Sequence, residues 1–356
     1  MISITPPVIA AVLVALLSIV LSAAAMGLFS KRWTPAHKNV FISGGSQGLG
    51  LALAKLLASQ GASVTICSRT QSKLDAALKE IQAASRPAPA SSTAQGTKSR
   101  NQVHRAIAAD LSTFAGAKEA LGKATHGPHG SVPDAVFCCA GGAKPGYFIE
   151  QTEQDFEAGI RTDYWTALST AHAAANAMVR APPSSSGPRK IILVSSILGF
   201  FGMVGYSQYT PMKHAIRGLA ESLRSEFILY GIDVHAYFPA TILSPGYEVE
   251  NQTKPAITKE IEGSDEPLTP EACAAGLLKG VQRGNFFITT DFLSDLFRST
   301  SVGGGTPGNG FLDVFKRFIG IIAIPIWRAV AADRSIRLYR EKHRDEVKLS
   351  KRVPSH

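Results

Sequence analysis

Strand-length apolar runs alternating with longer amphipathic stretches constrain this chain more than any other feature of its sequence. The runs stand at residues 40–42, 64–67, 103–108, 135–138, 191–194 and 234–238. Helical periodicity fills the gaps. Residues 51–59 carry apolar side chains at 51, 53, 56 and 57, and 71–83 bring Leu74, Ala77, Leu78 and Ile81 into register. Two long helices are predicted over 156–178 and 208–230. Six strands separated in this way predict an α/β fold, a doubly wound parallel sheet with helices on both faces. Two Pro/Ser-rich stretches, 85–100 and 182–188, read as surface loops within it.

The ends of the chain follow other rules. Residues 7–29 are apolar and uncharged, long enough for a transmembrane helix. No Lys or Arg precedes them, while Lys31, Arg32 and Lys38 follow. That asymmetry predicts an anchor with its N-terminus in the lumen and the body in the cytosol; a cleaved signal sequence is the alternative. Residues 318–327 are apolar over only about half a bilayer span and are bracketed by Lys316, Arg317 and Arg328. They favour a segment lying at the membrane surface; a second span when joined to their flanks, or a helix buried on the domain, are the alternatives. Beyond it Arg334, Arg337, Arg340, Lys342, His343 and Arg344 form a basic tail suited to anionic headgroups, with a solvated charged helix as the alternative. The net charge is +10, yet no stripe of cations interleaved with aromatics marks a nucleic-acid surface. The four cysteines have neither metal-ligand spacing nor a disulfide framework.

Chemistry begins directly after the first apolar run. The sequence Ser43-Gly44-Gly45-Ser46-Gln47-Gly48-Leu49-Gly50 joins that strand to a helix. Glycines at Gly44, Gly48 and Gly50 let the backbone approach a pyrophosphate. The helix N-terminus behind Ser46 and Gln47 offers free N–H groups to it. At the end of the second strand an NAD-binding domain needs a carboxylate for the ribose diol. Here Ser68-Arg69-Thr70 with Lys73 supplies two cations instead, which favours a 2′-phosphate and hence NADPH. Asp110 and Leu111 follow the third strand, where adenine would lie. Gly141 ends the fourth, where the backbone passes close to the cofactor.

Tyr209 and Lys213 stand four residues apart, so a helix puts both on one face. A free phenol has a pKa near ~10 and is a poor proton donor or acceptor at neutral pH. A neighbouring ammonium is expected to lower that value. Either hydroxyl of Ser195-Ser196, about a dozen residues upstream, could hold a carbonyl oxygen beside the phenol.

Taken in order, these motifs resemble the short-chain dehydrogenase/reductase family over residues 38–290. Its glycine motif corresponds to Ser43–Gly50, its N-N-A-G to residues 138–141 and its Y-x-x-x-K to residues 209–213. The resemblance implies a Rossmann-like fold. The family's serine precedes its tyrosine by thirteen positions, which selects Ser196. The family's segment for holding nicotinamide corresponds to residues 239–244, assigning Ile242 and Ser244. In the implied reaction Tyr209 donates a proton, Lys213 tunes it and bonds the nicotinamide ribose, and Ser196 orients a ketone. The chain departs from the family at Asp163, where many members carry an Asn supporting a relay water.

Further segments, 215–221, 245–255 and 282–286, resemble the members of this family that reduce 3-ketosphinganine at the cytosolic face of the endoplasmic reticulum. Residues 247–255 would then form a lid over the acyl chain. The alternatives are a reductase of another lipophilic ketone (steroid, retinoid or acyl ketone) and a non-catalytic NADPH sensor. The family also implies a homodimer through the two long helices. The expected organisation is an anchor and linker over 1–37, a reductase domain over 38–293 and a membrane-associated extension over 294–356.

Overall fold

The computed structural model describes residues 33–85, 102–126, 130–184, 187–263, 266–301, 308–310 and 312–350. The predicted anchor at 7–29 lies outside them, as does most of the 85–100 loop. From Thr34 onward the described residues belong to one compact unit.

Seven parallel strands form one sheet in the order β3-β2-β1-β4-β5-β6-β7. They are β1 (Asn39–Ser43), β2 (Ser63–Ser68), β3 (Arg105–Ala108), β4 (Ala135–Cys138), β5 (Arg189–Val194), β6 (Ile232–Tyr237) and β7 (Phe287–Ile288). The central strands are apolar on both faces, as a sheet covered by helices requires; Phe41, Ile42, Val136, Phe137, Ile191 and Ile192 are fully buried. The order reverses between β1 and β4. Ligands of such sheets bind outside the carboxyl ends of the strands at that switch point.

On the way to that point the chain forms α1 (Gly48–Ser59), α2 (Gln71–Ala84) and α3 (Phe114–His126). Helix α3 was not anticipated, although it buries Ala117, Ala120, Leu121 and Ala124 at helical spacing. The first predicted long helix is interrupted. Helix α4 (Glu153–Gly159) passes into a π-helical stretch, Ile160–Trp165, before α5 (Thr166–Arg180). The second is α6 (Thr210–Glu226), closed by a tighter 3₁₀ turn over Phe227–Tyr230. The seventh strand was also unanticipated. With only two residues it is too short for a periodic signal, and it is held by pairing to Ala236 and Tyr237 of β6.

Helices α7 (Pro245–Thr253), α8 (Ala256–Glu262) and α9 (Pro270–Gln282) follow β6. Helix α10 (Phe292–Ser301) then buries Leu296, Phe297 and Arg298. The Arg298 guanidinium donates to Asp313 at 2.9 and 2.5 Å and to Asp295 at 2.6 Å, fastening α11 (Leu312–Trp327) to α10. Opposite this attachment α11 leaves Leu312, Phe315, Phe318, Ile319, Ile322 and Ile326 more than half exposed. A short π-helical stretch leads on to α12 (Asp333–Ser350). No helix among the described residues is long and apolar enough to cross a membrane.

Candidate active site

A cavity of about 620 Å³ opens at the switch point. Every residue expected to hold the cofactor lines it: Gly44, Ser46, Gln47, Gly48, Gly50, Arg69, Lys73, Asp110, Leu111, Gly141, Tyr209, Lys213, Ile242 and Ser244. Ser196 lines it too, and Asp163 lies buried just behind.

The phosphate cradle is a backbone device. Gly44 adopts φ +69°, and a Cβ there would stand 2.8 Å from the backbone of Ala140. Only glycine lets β1 and β4 end so close together. The end of β2 places Arg69 beside the next strand's loop, where it and Arg161 act on Asp110. The Asp110 carboxyl is held below its usual range first by the N–H of Ser112, then by these cations. Lys73 donates to the Gln47 side chain at 3.2 Å, bridging α2 to the glycine turn. Arg161 is a cavity cation that sequence reasoning missed. It sits on the π-helical stretch, and no motif marked it.

At the other end of the cradle, Tyr209 immediately precedes α6, with Lys213 one turn on. The Lys213 ammonium lies 4.9 Å from the phenol ring centroid. The two serines, just past β5, both line the cavity but make different bonds. Ser195 donates to the Lys213 carbonyl at 2.8 Å, buried inside the fold. Ser196 faces the Tyr209 phenol, and its oxygen also accepts from the Leu198 N–H at 3.2 Å.

Asp163 is fully buried and sits 3.0 Å from the Lys213 ammonium, accepting also from the Gly142 N–H at 3.2 Å. Both contacts use Oδ1, leaving Oδ2 buried with no hydrogen-bond partner among the described residues. Gly141 makes room for this pair, since a Cβ there would lie 2.8 Å from Asp163 Oδ1 and 3.2 Å from Lys213 Nζ. Burial raises the Asp163 carboxyl, with Lys213 pulling the other way. Burial alone would lower Lys213, but Asp163 and Tyr209 beside it raise it overall, so it stays a cation.

The same balance corrects the expectation for Tyr209. Lys213 does lower the phenol's pKa, but burial raises it more, and Asp163 and Glu250 add to the rise. The net shift is upward, and Tyr209 is protonated at neutral pH. Such a group gives a proton rather than takes one. A hydroxyl from Ser196 and a protonated phenol from Tyr209 together can hold a carbonyl oxygen and protonate it as negative charge develops there.

A family model described as short chain dehydrogenase matches residues 38–255. A 3-ketodihydrosphingosine reductase of Cryptococcus neoformans is 38% identical over 315 residues, covering 88% of this chain and 89% of that protein. One from Aspergillus fumigatus is 35% identical over 294 residues, covering 77% of each. Among solved structures, a short-chain dehydrogenase from Sphingobium yanoikuyae in complex with NADPH superposes with a TM-score of 0.57 at 22% identity, covering 71% of this chain and 87% of that one. By its family-model match and its relatives, the chain belongs to the short-chain dehydrogenase family.

Proposed function

We propose that this protein reduces 3-ketodihydrosphingosine to the corresponding alcohol with NADPH. One observation carries the reaction: Ser196, Tyr209 and Lys213 meet in the cavity that the glycine cradle opens. The substrate follows from the relatives, which carry that name across most of their length. The residues fit the cofactor. Gly44 clears the cradle, and Arg69 and Lys73 stand where a 2′-phosphate would lie, with no carboxylate at the end of β2 to repel it. When bound, NADPH supplies the hydride that the ketone carbon accepts. Ser196 donates to the ketone oxygen and orients it. Tyr209 passes its proton to that oxygen as it becomes an alkoxide. Lys213 remains a cation beside the phenol and stabilises the phenolate left behind.

The membrane setting belongs to the same proposal. The exposed apolar side of α11 supports seating at a lipid surface, with the body in the cytosol at the endoplasmic reticulum. Leu293, Phe297 and Trp327, from α10 and α11, line the cavity that would receive a lipid ketone. Helix α7 covers it as a lid. A homodimer through α5 and α6 is supported by exposed Val179 on α5 and by Ile228 and Leu229 just past α6.

The test is cofactor oxidation by full-length protein in microsomes. The expected result is turnover of 3-ketosphinganine with NADPH well above that with NADH or with a steroid ketone. Turnover of the steroid ketone alone would replace the sphingoid reading with the broader lipophilic-ketone one.

A further inference from the structure

The catalytic cavity carries a charge imbalance at its substrate end that the reduction itself does not need. Lys213 is matched by Asp163. A second buried lysine, Lys254, has a side chain 1% exposed and must serve two carboxylates, Glu262 at 2.7 Å and Glu250 at 3.2 Å. Among the described residues the other donor to that pair is the Tyr206 hydroxyl, whose single hydrogen is shared between Glu262 at 2.8 Å and Glu250. Tyr206 brings no charge, because burial and these same two carboxylates push its pKa far above the usual phenol value. Lys254 is held as a cation, burial working against this and the carboxylates outweighing it. Two carboxylates and one ammonium leave one negative charge.

That charge lies beside the reacting groups. Tyr206 and Tyr209 pack with ring centroids 5.9 Å apart, and Glu250 and Glu262 line the same cavity as Ser196 and Tyr209. Both Tyr206 and Lys254 engage Glu250 through Oε1, and Glu250 lines the cavity. The other end has the opposite balance, with Arg69, Lys73 and Arg161 against Asp110. One end of the cavity suits phosphates and the other a cation.

We propose that Glu250, backed by Glu262, is the counter-ion for an ammonium group on the carbon adjacent to the ketone, so that the site selects 2-amino ketones over neutral ketones. This rests on the reading above, since 3-ketodihydrosphingosine carries such an amine. With the ketone held by Ser196 and Tyr209, the arm directed to the Tyr206 side of the phenol is the one that meets Glu250, and an α-ammonium on that arm would have its lost hydration replaced there. Glu250 is then a specificity residue and takes no part in hydride or proton transfer.

The test compares wild type with Glu250→Gln on 3-ketosphinganine and on the chain-matched 3-ketone lacking the amine, in full-length protein with saturating NADPH. Glu262→Gln is the second variant, since it removes the same net charge from a different position, and thermal unfolding reports whether each variant folds. The expected result is a preference of wild type for the aminoketone, and a fall in that preference of roughly ten-fold or more in either folded variant, carried mainly by KM. Equal losses on both ketones, or no loss on either, would overturn the counter-ion role while leaving the reductase reading intact. Wild type that turns over only the neutral ketone would overturn both. A weaker NADPH affinity in Glu250→Gln with the preference unchanged would assign the charge to the cofactor and overturn the proposal.

Discussion

Replacing Asp163 separates a tuned ion pair from an accidental one. The Asp163 carboxylate is 3.0 Å from the Lys213 ammonium, and their side chains are 0% and 4% exposed. Removing one partner of a buried pair strands the other charge and costs about 3–5 kcal/mol. At roughly 2–4 °C per kcal/mol for a domain near this size, Asp163→Ala should lower Tm by roughly 6–20 °C. Asp163→Asn keeps an acceptor for the ammonium, and a hydrogen bond to a charged group is worth about 1.5–3 kcal/mol, so its loss should be about half as large. Because the Lys213 pKa is raised on folding, the lysine's contribution is present below its unfolded value and is lost as pH rises through the folded one. Burial raises the Asp163 carboxyl, so the pair is also lost on acidification, and parent and Asp163→Ala should differ most between these two titrations. Catalysis gives the second readout. Asp163 is one of the groups holding the Tyr209 pKa up, so its neutralisation lowers that pKa. Reduction needs the protonated phenol, and the alkaline limb of kcat should therefore move to lower pH in Asp163→Asn. Scanning calorimetry and a pH–rate profile measure both effects. An Asp163→Ala Tm within about 2 °C of the parent, or an alkaline limb that stays put or moves up, would refute the reasoning.

The other expectations concern the cradle and the proton. Tyr209→Phe removes the donated proton and should abolish ketone turnover while NADPH still binds, as read by fluorescence titration. Arg69→Ala with Lys73→Ala should weaken NADPH by roughly ten-fold or more and leave NADH nearly unaffected, each decade being about 1.4 kcal/mol; competition titrations read the ratio. Gly141→Ala sets a methyl group 2.8 Å from Asp163 Oδ1 and 3.2 Å from Lys213 Nζ. It should disturb that pair and cut kcat by roughly ten-fold or more, with a smaller effect on the binding of the adenosine end.

The parts of this fold legible beforehand are those encoded locally. Six strands and the glycine turn announce themselves because apolar runs and φ > 0 positions are chain-local demands. The π-helical stretch Ile160–Trp165 does not, because its residues suit an ordinary helix equally well. It carries Arg161 on the cavity wall and Asp163 beside Lys213. The role of β7 depends wholly on a neighbour, β6. Tyr206 and the Glu250–Lys254–Glu262 group are likewise silent in sequence, since the phenol and the carboxylates are 44 and 56 residues apart along the chain.

Tyr209 shows why a motif read in one dimension can name the right residue and miss its state. Four-residue spacing brings the lysine near the phenol and suggests a pKa pulled down. The fold adds what spacing omits: enclosure, the Asp163 charge behind the lysine and the Glu250 charge across the cavity. Together these outweigh Lys213, and the phenol keeps its proton. For a site that must deliver a proton to a nascent alkoxide this is the useful state.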